Sequence, residues 1–259
     1  MSDCPRVAVF RPDDDRIDRA VALLASLGAD PVADPMLAIE PTGATPASGE
    51  PLDAAYVVFT SKTGVELAAD AGWTPDEATL VAIGPSTAAA AREAGWSVDI
   101  VPEEYTSAGL VATLRDRVDG EGVEVARSDH GSDVLLDGLR DAGAHVTETV
   151  LYRLLRPDDA GESTSLAAAG ELDALAFTSS LTVEHFLEAA ADRGVRETAL
   201  VGTNAAVVGA IGPPTAATAD ELGIDVDVIP DDADFESLAE AVVSAATDDT
   251  DTGEPVHET

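Results

Sequence analysis

The chain has 259 residues, 45% of them apolar and only 4% aromatic, and sets 50 Asp and Glu against 14 Lys and Arg for a formal net charge of -36. That length allows about two domains with substantial cores, and the apolar share argues against a fully disordered chain. No apolar run approaches the roughly 18 residues of a membrane helix, and no basic surface exists to neutralise phosphates, so neither membrane nor nucleic acid is expected as a partner.

Met1 to Arg6 leads into a four-residue apolar run, Val7 to Phe10, which reads as a strand, so no secretory leader is expected. The single Cys4 excludes an internal disulfide and any cysteine-based metal site, and fits a reducing cytoplasm. Further strands are expected over Ala55 to Thr60, Leu80 to Ile83, Val98 to Val101, Val123 to Ala126, Leu175 to Phe177 and Val226 to Ile229. Between them the spacing predicts helices over Ile17 to Leu27, Thr63 to Ala71, Ser86 to Ala94, Ser107 to Val118, Asp133 to Ala142, Leu181 to Arg193, Thr215 to Leu222 and Phe235 to Ala246. Pro41 to Pro51 and Pro157 to Ser165 read as connectors, and Thr247 to Thr259 as a frayed acidic tail. Alternation of strand and helix predicts an α/β fold with parallel sheets covered on both faces, because parallel strands need crossover connections.

The acidity runs along the whole chain, and Lys62 is its only lysine. Self-repulsion of such a surface is screened in strong salt, where the Debye length falls to about 3 Å at 1 M, so a salt-adapted cytoplasm such as a halophile's is expected. The acidic runs Asp13 to Asp15 and Asp231 to Asp232 read as solvated surface or helix starts, and His130, His145, His185 and His257 lack metal-ligand spacing. No metal site is expected. Asp129, His130 and Ser132 are the residue types of a catalytic triad, but contiguous loop residues do not imply triad geometry.

An internal repeat organises the chain. Ile83 to Pro102 aligns without a gap with Ile211 to Pro230 at an offset of 128, with 12 identities in 20 positions. Upstream, Phe59-Thr60-Ser61 with Val65-Glu66 matches Phe177-Thr178-Ser179 with Val183-Glu184 at an offset of 118, and Val7, Val9 and Arg11 match Val123, Val125 and Arg127 at 116. Two homologous α/β domains follow, and the repeat by itself divides the chain once, near residue 120.

Each strong motif runs from a strand through small or hydroxyl residues into a helix. Such residues lie at the carboxyl ends of parallel strands, where helix N-termini offer unpaired N–H groups to carboxylates or phosphates. The competing reading of every such Ser or Thr is an ordinary helix cap. Arg11 and Arg127, at matching strand ends, are candidate anion contacts or surface salt bridges. The chain has no GxSxG elbow, P-loop, ribose-binding GxGxxG or HExxH.

The segments FTSKTGVE (Phe59 to Glu66), AIGPSTAAAAREAG (Ala82 to Gly95), ETVLYR (Glu148 to Arg153), DALAFTSSLTVEHF (Asp173 to Phe186) and AIGPPTAATADELG (Ala210 to Gly223) together resemble the uroporphyrinogen-III synthase family. The resemblance spans nearly the whole chain up to about residue 246. It implies two flavodoxin-like doubly wound domains joined by two extended linker strands, with the active site in a cleft between them. One domain would be discontinuous, 1–36 with 155–247, the other 42–147, the linkers 37–41 and 148–154, and 248–259 a tail. The implied activity is cofactor-free cyclisation of hydroxymethylbilane to uroporphyrinogen III, with loss of water and inversion of ring D, in a monomer.

By the same resemblance Tyr152 is the candidate proton donor to the leaving hydroxyl, its alternative being a packed linker aromatic. Thr60, Ser61, Thr87, Ser179 and Thr215 match cleft-lining hydroxyl positions and are expected to bind substrate carboxylates, with Ser86, Lys62, Arg11 and Arg127 as further contacts. Pro214 stands where the family motif often has a hydroxyl, so the second copy is expected to donate mostly from its backbone. A two-domain protein that closes on an anionic small molecule without chemistry, and a structural role for the duplicated domains, are the rival readings.

Overall fold

A computed structural model describes residues 4–47 and 54–251, with side chains to residue 248. Its strands are β1 (Arg6–Phe10), β2 (Asp30–Ala33), β3 (Ala38–Pro41), β4 (Tyr56–Phe59), β5 (Thr79–Ala82), β6 (Gly122–Ser128), β7 (His145–Leu155), β8 (Ala174–Phe177) and β9 (Val207–Ala210). Its helices are α1 (Asp15–Ser26), α2 (Lys62–Asp70), α3 (Pro85–Glu93), α4 (Ser107–Leu114), α5 (Asp133–Asp141), α6 (Glu162–Ala169), α7 (Ser180–Asp192), α8 (Arg196–Thr203), α9 (Pro213–Glu221) and α10 (Phe235–Asp251). The chain divides into two compact units, Met1–Ala38 with Leu155–Thr259, and Ile39–Leu154.

The first unit holds a sheet of order β2-β1-β8-β9, parallel throughout, and Val228 adds one parallel bridge beyond β9. In the chain order of its own strands this is the doubly wound arrangement in which the strand order reverses between β1 and β8. The second unit has the order β3-β7-β6-β4-β5, with Ile100 bridging beyond β5. Strand for strand, β7-β6-β4-β5 repeats β2-β1-β8-β9. The sequence repeat and the spatial units are therefore not the same division: each unit combines the first pair of strands from one copy with the second pair from the other. A cut near residue 120 separates the copies but would split the second sheet between β5 and β6.

The match extends to single bonds. Asp99 accepts the Leu80 amide at 2.8 Å, and Asp227, 128 residues later, accepts that of Val208 at 2.8 Å. These carboxylates take a place in the edge ladder that a backbone carbonyl would fill. This is why the strands expected over Val98 to Val101 and Val226 to Ile229 reduce to one bridge each.

Alternating strand residues build a core on each face of each sheet. Val7, Val9, Ala174 and Ala176 face α1 and α10, whereas Ala8, Phe10, Leu175 and Phe177 face α7, with Phe10 stacked on Phe177 at 4.7 Å. In the second unit Phe59, Trp73 and Trp96 pack ring to ring at 5.0–5.8 Å on one face, and Val58, Val125 and Leu110 lie in the core of the other.

Two helices went unread in the sequence. The segment Pro157 to Ser165, expected as a connector, contains the start of α6. Its N-cap is Gly161 in the left-handed region at φ 108°, and its first amides are capped from outside by the buried Asp34, which accepts from Gly161 at 2.7 Å and from Ser163 at 2.9 Å. Helix α8 likewise begins without a side-chain cap. Strand β7, eleven residues long, is longer than the expected linker, and α10 continues through Asp251 into the segment expected to fray. Residues 252–259 of the tail, and 48–51 of the connector Pro41 to Pro51, lie outside the described residues.

Candidate functional site

In each unit the carboxyl end of the central strands carries the duplicated hydroxyl turns. Ser61 follows β4 and caps α2, its backbone extended and its Oγ accepting from Gly64 N at 3.0 Å. Ser179 follows β8 and caps α7 through a reciprocal box, with Thr182 N donating to Ser179 Oγ at 3.3 Å and Ser179 N to Thr182 Oγ1 at 3.2 Å. Thr178 donates to the carbonyl of Phe10 at 2.6 Å, tying β8 to β1 where the strand order reverses. Its counterpart Thr60 is half-buried, and among the described residues its hydroxyl has no partner.

Helices α3 and α9 begin differently. Gly84 and Gly212 are their N-caps, no side chain caps either, and proline opens both. At the third helical position Thr87 and Thr215 are 2% and 4% exposed. Neither hydroxyl has a hydrogen-bond partner among the described residues, yet neither is sealed from solvent as the partnerless Thr203 Oγ1 is. A threonine so deeply set normally satisfies its hydroxyl within the fold. Ser86, exposed beside Thr87, likewise has no hydrogen-bond partner among the described residues, and in α9 that position is Pro214, which also removes an amide donor.

Tyr152 is 7% exposed on β7 and packs in the core with Phe59, Trp73 and Leu151. Its hydroxyl donates to Ser61 Oγ at 3.0 Å. Ser61 Oγ then accepts from both Gly64 and Tyr152, which uses its two lone pairs and leaves its own proton free to be donated. The side chain thus packs in the core as an aromatic and spends its hydroxyl on Ser61.

The two duplicated arginines part company. Arg127 is 5% exposed, with Nε donating to Glu148 at 2.5 Å, Nη1 to the Ser132 carbonyl at 2.8 Å and Nη2 to Asp133 at 3.4 Å. That fork is filled by the fold. Arg11 is half-buried over the Phe235 ring at 5.2 Å, and its Nε is sealed with no partner among the described residues. Burial, then the charge of Arg16, lowers its pKa. Lys62 is exposed and pairs with Glu66 at 3.3 Å along α2.

Beside Tyr152, the Asp129 carboxylate accepts from Leu154 N at 3.0 Å and meets His130 Nδ1 at 2.9 Å. Burial pushes the Asp129 carboxyl up, but the bonds from His130 and Leu154 outweigh it and hold the group below the usual carboxylate range. Ser132 caps α5 by accepting from Val134 and is bonded to neither, so the three residues form no triad. Two buried carboxylates, Asp34 and Glu124, escaped sequence reasoning. Glu124 accepts from Ala47 N and from Thr149 Oγ1 at 2.6 Å, and its one signal was an acid in the middle of an apolar strand. Among the described residues, no group of three or more His, Cys, Asp or Glu is placed to hold a metal ion, and no helix is long and apolar enough to cross a membrane.

Two doubly wound α/β units with matched hydroxyl-bearing helix starts at their strand ends define a duplicated two-unit α/β protein. The family model of uroporphyrinogen-III synthase HemD matches residues 18–240, and the chain belongs to that family of cyclising lyases in tetrapyrrole biosynthesis. A relative from Methanothermobacter thermautotrophicus is 37% identical over 177 residues, 65% of this chain and 69% of its own. The uroporphyrinogen-III synthase of Synechococcus elongatus is 27% identical over 218 residues, 78% of this chain and 80% of its own. The crystal structure of a mutant uroporphyrinogen III synthase from Thermus thermophilus superposes with a TM-score of 0.69 at 22% identity, over 95% of this chain and all of that one. That of uroporphyrinogen-III synthetase from Helicobacter pylori gives 0.57 at 15% identity, over 93% and 99%. The structural likenesses show the fold.

Proposed function

We propose that the substrate is hydroxymethylbilane, and that the chain closes it to uroporphyrinogen III with loss of water and inversion of ring D. The substrate bears carboxylates on acetate and propionate arms, so many weak anion contacts can fix its folded shape. Thr87 and Ser86 at α3, Thr215 at α9, Thr60 and Ser61 at α2 and Ser179 at α7 supply such contacts, together with the helix-start amides behind them. Arg11 adds a cation whose fork the fold leaves partly unused. Lys62 is a secondary contact, and Arg127 acts from beneath by shaping the loop it supports.

The observation that supports this reading best is the pair Thr87 and Thr215, deeply set and, among the described residues, without partners at equivalent uncapped helix starts. Holding a flexible chain near its closed shape can supply several kcal/mol of the barrier through entropy. The departing hydroxyl needs a proton, and Ser61, with both lone pairs occupied, is poised to donate, with Tyr152 behind it as the source. The broken C–O bond leaves its electron pair on oxygen, which departs as water, and the pyrrole nitrogen lone pair forms the azafulvenium cation, its N–H kept. The protein is further read as a cytoplasmic monomer of a salt-rich cell, with no nucleic acid or membrane partner. Adding it to freshly generated hydroxymethylbilane is expected to speed substrate loss in proportion to protein concentration. Loss at the spontaneous rate would overturn the reading.

A further inference from the structure

We propose that His130, held by Asp129, is the base that removes the ring D proton when the macrocycle closes. This rests on the synthase reading above. The elimination consumes a proton and the final closure releases one: the last C–C bond forms at the unsubstituted carbon of ring D, which must then lose its hydrogen. In that step the C–H bond breaks, its electron pair restores the pyrrole, and the proton passes to His130 Nε2.

Three observations lead to His130. The loop that carries it is clamped from two sides. Asp129 N donates to the Tyr152 carbonyl at 3.2 Å and its carboxylate accepts from Leu154, while the buried Arg127 beneath donates to the Ser132 carbonyl. Gly131 lies so close over the Arg127 side chain that a methyl there would overlap it. The ring is also correctly turned. The Asp129 carboxylate can only accept, so a neutral ring facing it with Nδ1 has its hydrogen there and offers Nε2 as the acceptor, and among the described residues Nε2 has no partner on a side chain that is 45% exposed.

The comparison between units is the third. At the offset of 116, Asp129 corresponds to Asp13, whose amide makes the same bond, to the Leu37 carbonyl at 3.0 Å. His130 corresponds to Asp14, which only caps α1 and pairs with Arg16. The duplicated scaffold thus carries an imidazole in one unit alone. That is the unit that also holds Tyr152 and Ser61, and the histidine follows β6, the neighbour of the β4 strand that leads into Ser61.

His130→Ala in the full chain, assayed beside the unaltered protein on hydroxymethylbilane, tests this. The expected result is a fall in kcat of about a hundredfold with KM changed less than about threefold, partly restored by added imidazole. Equal kcat in the two proteins, or a loss that imidazole does not relieve in a variant with an unchanged melting curve, would overturn the assignment. A histidine-independent failure is distinguishable: if the unaltered protein yields only the type I isomer, the synthase reading falls and this proposal with it.

Discussion

Tyr152 and Leu37 hold the same position in their respective units: the carbonyl of each accepts an aspartate amide, Asp129 at 3.2 Å and Asp13 at 3.0 Å. Backbone geometry at the two places is duplicated and side-chain chemistry is not. Tyr152 reaches Ser61, whereas Leu37 is buried and apolar. The duplication therefore repeats the backbone frame, and the proton chemistry proposed above is assigned to one unit.

Removing only the Tyr152 hydroxyl separates the roles of that side chain. Tyr152→Phe keeps the ring in its core and frees one lone pair of Ser61, so kcat is expected to fall about a hundredfold with little change in KM or melting temperature. Steady-state kinetics at saturating hydroxymethylbilane check this, and unchanged kcat would remove the proton-donor role.

The arginines predict opposite phenotypes. Arg127→Met strands Glu148 and the Ser132 carbonyl and should cost about 3 kcal/mol of stability by denaturant titration. Arg11→Ala forfeits a contact with Phe235 worth about 0.5–1 kcal/mol, yet should raise KM roughly tenfold if its guanidinium holds a substrate carboxylate. A stable Arg127→Met protein, or an Arg11→Ala protein with normal KM, would reverse the assignment.

These differences mark where sequence reasoning stops. The repeat showed that Arg11 and Arg127 were equivalent, and both were expected to touch substrate. Of their partners, Asp133 is six residues from Arg127, but Glu148 and, for Arg11, the Phe235 ring come from segments that nothing local connects to them. Fold class was legible because β1, β4, β6 and β8 are short apolar runs followed by helices with Ser, Thr or Asp caps. Strand β9 and helix α8 were not, since VVGA is brief and α8 lacks a cap signal. Asp129 and His130 were visible as types but were weighed as a triad with Ser132, and only the fold shows that the dyad's anchor is β7. Thr87 and Thr215 were found as motif positions, and their lack of partners could not be read from spacing.

Asp129 gives a pH signature. Its carboxyl is held below the ordinary value of about 3.9 in the folded protein, so the stability it contributes is fully present above that value and is lost as pH falls through the folded one. Asp129→Asn should lower stability by about 1 kcal/mol at neutral pH, a difference that vanishes in strong acid. Chemical denaturation of both proteins across the acid range checks the sign, and a gap that widened on acidification would contradict it.

The charge of -36 makes a further demand. Raising KCl from about 0.1 M to 1 M shortens the Debye length from about 10 Å to 3 Å, so the melting temperature should climb through this range. A salt-independent melting temperature would argue against a surface adapted to brine.

The most direct measurement is the isomer composition of the product in molar KCl. Left alone, hydroxymethylbilane closes to uroporphyrinogen I. With this protein present, uroporphyrinogen III should predominate and its share should rise with protein concentration, as resolved by chromatography of the oxidised porphyrins. A product that stays type I at every protein concentration would contradict the account.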